Sequence, residues 1–126
     1  MKILYLLRGK VKEGKKRGKR LGFPTANITL HKKIPEGIYA SKVTIDKQDY
    51  LAATFIGASK TFRETELKCE SFILNFDNEI YGKWITVKLI KKVRRNKKFS
   101  SVKKLIDQME VDISNILMFF SKTKTN

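Results

Sequence analysis

Apolar and polar residues alternate along most of the chain. Tyr39, Val43 and Ile45 share one parity, as do Ile85, Val87, Leu89 and Val93, and a period of two marks half-buried strands. The same pattern predicts strands within residues 3–12, 25–30, 50–56 and 67–76. Turn signals separate them at Pro35-Glu36-Gly37, Asp46-Lys47-Gln48-Asp49 and Asp77-Asn78-Glu79. After Phe99 the period changes. Leu105, Ile106, Met109, Ile113, Ile116, Leu117 and Phe120 follow helical spacing, with Ser100 or Ser101 placed to cap the helix. Six short strands with short connections predict a mainly β fold. The antiparallel sheet closes into a small barrel, and the terminal helix covers an opening or a flank. Residues 1–120 read as one domain, and residues 121–126 as a frayed tail.

Composition narrows the class. A chain of 126 residues with 41% apolar content is one domain with a core of its own. Its single cysteine, Cys69, excludes an internal disulfide, and with a single histidine, His31, it leaves no Cys-rich zinc site. The longest apolar runs, Ile3–Leu7 and Ile116–Phe120, are far short of the roughly 20 residues a membrane helix needs. A soluble, cytoplasmic monomer is therefore expected. Charge is the outlying quantity. There are 28 Lys and Arg against 12 Asp and Glu, a net +16, which predicts anionic partners. Residues 8–20 carry eight basic side chains and one acid, and residues 91–104 carry eight and none.

Three segments carry candidate chemistry. Glycines 14, 18 and 22 among lysines and arginines give a loop whose backbone N–H groups suit a polyphosphate. The loop lacks the spacing of a P-loop, and a solvated basic hairpin tip fits the same composition. In Pro24-Thr25-Ala26-Asn27 an extended backbone points Thr25 and Asn27 to one side. Their neutral oxygens suit Mg²⁺, although a turn with an Asx-type cap has the same sequence. In residues 68–77, Glu70 falls on one strand face with Phe72, Leu74 and Phe76. That is the setting of a general base raised by desolvation, or of a rim residue paired with lysine. Cys69 points to the other face and reads as a packing residue. The run from Lys91 to Phe99 can hold phosphates or form a solvated loop.

In order and at these separations, the motifs resemble those of the riboflavin kinase family. The resemblance is carried by Gly9-x-Val11-x-x-Gly14, by Gly18-x-x-Leu21-Gly22-Phe23-Pro24-Thr25-Ala26-Asn27, and by Pro35-x-Gly37-Ile38-Tyr39. It continues through Gly57, Thr61-Phe62, Glu70, Phe76-Asp77, Tyr81-Gly82, Arg94, Phe99 and Asp112, spanning residues 5–115. It implies a six-stranded Greek-key barrel with a C-terminal helix. It also implies transfer of the ATP γ-phosphoryl group to riboflavin, giving FMN and ADP. Carried over by position, Thr25 and Asn27 ligate Mg²⁺ and touch the ATP phosphates. Gly14 and Lys19 belong to a flap over the nucleotide, with Arg20 able to take the place of Lys19, and Asn75 and Tyr81 line the nucleotide pocket. Glu70 is the catalytic carboxylate, and Arg94, Lys97 and Phe99 hold the flavin.

The chain departs from the family pattern at Asn96, where an acidic residue is common, at Lys60 before Thr61, and at Phe72, where histidine is frequent. Many bacterial relatives add an adenylyltransferase domain that makes FAD. Here the sequence starts at the kinase strand, so kinase activity alone is expected. The alternative from another class is a basic barrel that binds RNA or another polyanion without catalysis. The absence of aromatics from residues 8–20 weighs against it.

Overall fold

The computed structural model describes residues 1–14 and 22–123. Lys19, Arg20 and most of the glycine-lysine loop lie outside the described residues. Six strands, β1 (Tyr5–Lys10), β2 (Ala26–Ile28), β3 (Gly37–Ile45), β4 (Gln48–Gly57), β5 (Lys68–Ile73) and β6 (Trp84–Arg94), precede one helix, α1 (Val102–Thr123). They form one antiparallel sheet in the order β1-β6-β3-β4-β5-β2. The crossover of β6 to lie between β1 and β3 gives the Greek-key path. A bridge between Lys12 and Asn27 joins the two ends of the sheet, the Lys12 N–H donating to the Asn27 carbonyl at 2.9 Å. The result is the small barrel that the alternation predicts.

Inward-facing residues fill the interior. Leu7, Tyr39, Val43, Ile56, Ile85, Val87 and Leu89 are each no more than 2% exposed, and each such side chain contributes about 1.5–3 kcal/mol on burial. The Tyr39 hydroxyl donates to the Pro35 carbonyl at 2.6 Å, and burial, then Tyr5, holds its pKa above the usual phenol value. Three buried hydroxyls cross the core from β3 to β5. Ser41 donates to the Ala52 carbonyl at 3.0 Å, so its lone pairs accept from Thr54 at 2.6 Å, and Thr54 in turn accepts from Ser71 at 2.8 Å. Each proton in the row has an acceptor, which is why polar side chains are tolerated there.

The β3–β4 turn is tighter than the expected four residues. Ile45 pairs with Gln48, leaving only Asp46 and Lys47 in the loop at φ values of 50° and 68°, the left-handed pair a two-residue hairpin requires. Two register shifts between β3 and β6 change the parity assigned to Val93. Ser41 pairs with Leu89 but Ala40 with Lys91, leaving Ile90 as an extra residue, and a second shift leaves Val93 extra. Ile90 and Val93 consequently join Ile116 and Phe120 in a second apolar cluster beneath α1. Likewise β5 ends at Ile73, short of the expected residue 76. Leu74 is buried, and Asn75 has φ 56°, so the predicted row of Glu70, Phe72, Leu74 and Phe76 breaks after Phe72.

The helix begins where serine predicts it. The Ser101 hydroxyl accepts from the Lys104 N–H at 3.2 Å, an N-cap bond. Asp112, Ile116 and Phe120 are its buried residues, whereas Leu117 is 44% exposed. The helix runs through Thr123, into the stretch expected to fray, because Phe120 anchors its last turn and the Thr123 hydroxyl donates to the Phe120 carbonyl at 2.9 Å.

Candidate active site

The site is built around β2 and β5. Glu70 stands in β5 with Asn27 of β2 opposite on one side and Phe55 of β4 on the other. Because side chains alternate, Cys69, Ser71 and Ile73 turn inward while Glu70 and Phe72 turn to the barrel's flank. There Glu70, Phe72, Thr25 and Asn27 share a cavity of about 150 Å³ with side chains from β4, the 58–64 loop, the 95–99 loop and α1. The expected pairing of Thr25 and Asn27 on one side is thus borne out. Five of the chain's eight phenylalanines, Phe23, Phe55, Phe62, Phe72 and Phe99, line this cavity, and the Phe23 and Phe72 rings meet edge to face at 5.4 Å. A wall of this kind suits a flat aromatic ligand.

A second cavity, of about 260 Å³, opens on the other side of β2 and is lined by Pro24, Thr25, Ser71, Phe76, Asp77 and Tyr81 among others. Thr25 belongs to both cavities. Tyr81 lines the second. Asn75 is exposed and lines neither cavity.

Asn27 is 8% exposed, and its Nδ2 donates to the Thr25 carbonyl at 3.4 Å. Gly14 lies directly against it. A Cβ on residue 14 would fall 2.6 Å from Asn27 Nδ2 and 2.9 Å from Oδ1. The glycine is required here by a close approach and not by backbone conformation. Near Glu70 the charge is mixed. Lys68 Nζ stands 4.0 Å from the Glu70 carboxylate and 3.4 Å from that of Glu64. The lysine partner anticipated for a rim carboxylate is therefore present, on a side chain that also faces the cavity.

Arg94 and Phe99 close the cavity on the helix side. Arg94 Nε is 2.9 Å from both oxygens of Asp112, which is buried on α1 and also accepts from Gln108 at 2.9 Å. The Arg94 guanidinium lies 5.4 Å and the Lys97 ammonium 5.1 Å from the centre of the Phe99 ring. The Phe99 N–H donates to Thr61 Oγ1 at 3.0 Å, tying the 95–99 loop to the loop after β4. Glu70, Thr25, Asn27, Arg94, Lys97 and Phe99, far apart in sequence, are brought to one cavity. The phenylalanine wall and the anchoring role of Asp112 escape sequence reasoning. Only the position of Asp112, a carboxylate at helical spacing from Met109 and Ile116, signals it.

Cys69 behaves as expected of a packing residue. It is fully buried, and burial, then the neighbouring Glu70, pushes its thiol up to about 12. Among the described residues, no three His, Cys, Asp or Glu side chains gather into a metal cluster, and no helix is long and apolar enough to cross a membrane.

Comparison with known families matches residues 1–120 to the flavokinase model, described as riboflavin kinase. The chain belongs to the riboflavin kinase family. A bifunctional riboflavin kinase/FMN adenylyltransferase of Bacillus subtilis is 34% identical over 126 residues, covering 95% of this chain and 40% of that protein. An RNA-binding riboflavin kinase, RibR, of the same organism is 33% identical over 120 residues, covering 93% of this chain and 52% of that protein. This chain thus spans about half or less of the length of these relatives. A crystal structure of riboflavin kinase from Trypanosoma brucei superposes with a TM-score of 0.67 at 25% identity, covering 94% of this chain and 81% of that one. The match extends through the barrel and the helix, in agreement with the fold expected of a riboflavin kinase.

Proposed function

We propose that this chain transfers the γ-phosphoryl group of ATP to the ribityl 5′-hydroxyl of riboflavin, yielding FMN and ADP. The observation that carries the proposal is the sharing of Thr25 between two cavities, one walled by phenylalanine and holding Glu70, the other holding Tyr81. In this reading the isoalloxazine ring occupies the first, the nucleotide the second, and the ribityl chain reaches towards Thr25 between them.

Glu70 orients the 5′-hydroxyl and takes its proton as the oxygen attacks the γ-phosphorus. The bond from that phosphorus to the bridging oxygen breaks, and ADP leaves with the electron pair. Lys68 Nζ, 4.0 Å from Glu70, sets a cation beside that carboxylate. Backbone N–H groups of the glycine loop, with Lys19 or Arg20, bind the phosphates. A divalent ion, for which we propose Mg²⁺, neutralises phosphate charge when bound. The Thr25 hydroxyl and the Asn27 amide oxygen would hold it. The fit rests on their neutral oxygens and on the space that Gly14 leaves beside Asn27. Asn75 enters this reading only as a nucleotide contact on the exposed turn after β5. One chain supplies both cavities, so the acting unit is taken to be a monomer.

The test is Glu70→Gln. The variant is expected to bind riboflavin, read by quenching of flavin fluorescence, and to form FMN about 10²–10⁴ times more slowly. Retained turnover would remove Glu70 from the mechanism.

A second reading, a polyanion site on the outer face of β1 and β6, is favoured by one observation. Trp84 is 56% exposed, the Arg8 guanidinium lies 5.3 Å from its ring centre, and Lys10 is its cross-strand partner. Exposed aromatics among cations are the parts of a single-strand RNA platform. Salt-sensitive RNA binding lost in Trp84→Ala, with FMN formation intact, would support it. Binding unchanged by that substitution would dismiss the face.

A further inference from the structure

Asn96 is the one uncharged polar side chain that the loop between β6 and α1 contributes to the aromatic cavity, and its orientation is determined. Its amide lies 2.9 Å from Glu36 Oε1 and 2.9 Å from the Ala58 carbonyl. A carboxylate and a carbonyl only accept, so the atom facing both is the nitrogen, and its two hydrogens are both used. Gly57 makes room for the arrangement. At φ 142°, a Cβ there would fall 2.6 Å from Glu36 Oε1 and 3.2 Å from Asn96 Nδ2. Among the described residues, no donor reaches Asn96 Oδ1. With its donors committed to the protein, this side chain can only accept from a ligand.

From this geometry we infer that Asn96 Oδ1 accepts the imide N–H of the isoalloxazine ring, with Glu36 holding the amide in the accepting orientation. The inference rests on the proposed flavin site and adds the ring edge that is read there. An imide edge presents a single N–H between two carbonyls, so a side chain able to accept but not to donate selects that N–H and no other atom of the edge. Asn96 is then a specificity residue for the ring. Phe55, Phe62 and Phe99, on the same cavity wall, offer it no hydrogen-bonding alternative.

The experiment titrates the full chain with riboflavin and with N3-methylriboflavin, following flavin fluorescence. The variants are Asn96→Leu, which keeps the volume and removes the acceptor, and the double variant Asn96→Asp with Glu36→Gln, which keeps an acceptor at 96 and a donor at 36. Wild type is expected to bind riboflavin about tenfold tighter than the methylated analogue. Asn96→Leu is expected to lose about tenfold towards riboflavin while leaving the analogue nearly unchanged, and the double variant to retain the preference. If Asn96→Leu binds riboflavin as wild type does, or weakens both flavins equally, Asn96 is no acceptor for the imide and the inference is overturned. If wild type binds neither flavin, the flavin reading itself falls and the inference with it, an outcome distinct from the others because no variant is needed to see it.

Discussion

Asn27 and Glu70 face each other directly across the β2–β5 pair. The residue proposed to hold the metal-bound phosphates and the residue proposed to take the hydroxyl proton are thus fixed by one register, and a slip of β2 by one residue would turn Asn27 away from the side that Glu70 faces. Such pairs act as a unit, so their substitutions should not add. Asn27→Ala is expected to lower kcat at saturating ATP and to raise the divalent-ion concentration needed for half-maximal rate. Combined with Glu70→Gln, it should cost little beyond the glutamine alone. Full additivity in initial-rate measurements would separate the two roles.

Gly14 gives a second prediction. Gly14→Ala places a methyl group 2.6 Å from the Asn27 amide nitrogen, so the amide or the loop must move. Displacements of this size at a reacting centre cost about 10- to 100-fold in rate. Residue 14 stands at the start of the glycine loop, outside the strands, so the melting temperature should change little. A loss of stability matching the loss of rate would assign Gly14 to folding instead.

Arg94 and Asp112 tie the helix to the barrel. Asp112 is 4% exposed in its side chain and Arg94 17%, so removing one partner strands a desolvated charge. Asp112→Ala is expected to destabilise by about 3–5 kcal/mol in urea unfolding. Replacing both with apolar residues of similar volume should recover much of that stability while leaving flavin binding weakened, because one of the two cations beside Phe99 is gone. Recovery of both would make Arg94 purely structural.

The Cys69 thiol is held at about 12 against an ordinary value of 9.0. Its folded value is raised, so the contribution is complete below pH 9 and is lost as pH climbs towards 12. Above pH 9 the unfolded chain ionises first, at about 1.4 kcal/mol per pH unit. Cys69→Ala should therefore flatten the alkaline limb of the stability curve. An identical alkaline limb in the variant would show that other groups set it. The buried thiol should also resist iodoacetamide until the protein unfolds.

The barrel, its terminal helix and the grouping of Thr25 and Asn27 were legible because each depends on local periodicity. The two bulges in β6 were not. A single extra residue such as Ile90 is apolar like Leu89 before it, and only the pairing with β3 reveals that it turns towards α1. The end of β5 was hidden for a similar reason, since Asn75 breaks the strand through a backbone angle that alternation does not encode. The phenylalanine wall was unreadable in one dimension. Phe23, Phe55, Phe62, Phe72 and Phe99 lie in five different stretches of the chain, and only the barrel closure gathers them. Asn96 stood out only as a departure from the family pattern. That both of its donors are taken depends on Glu36, sixty residues away.

The measurement that tests the central claim most directly is incubation of the wild-type chain with riboflavin, ATP and Mg²⁺, with the flavins and nucleotides separated by chromatography. The account predicts FMN and ADP appearing in equal amounts, each dependent on riboflavin. Folded protein that binds riboflavin yet yields no FMN would contradict it.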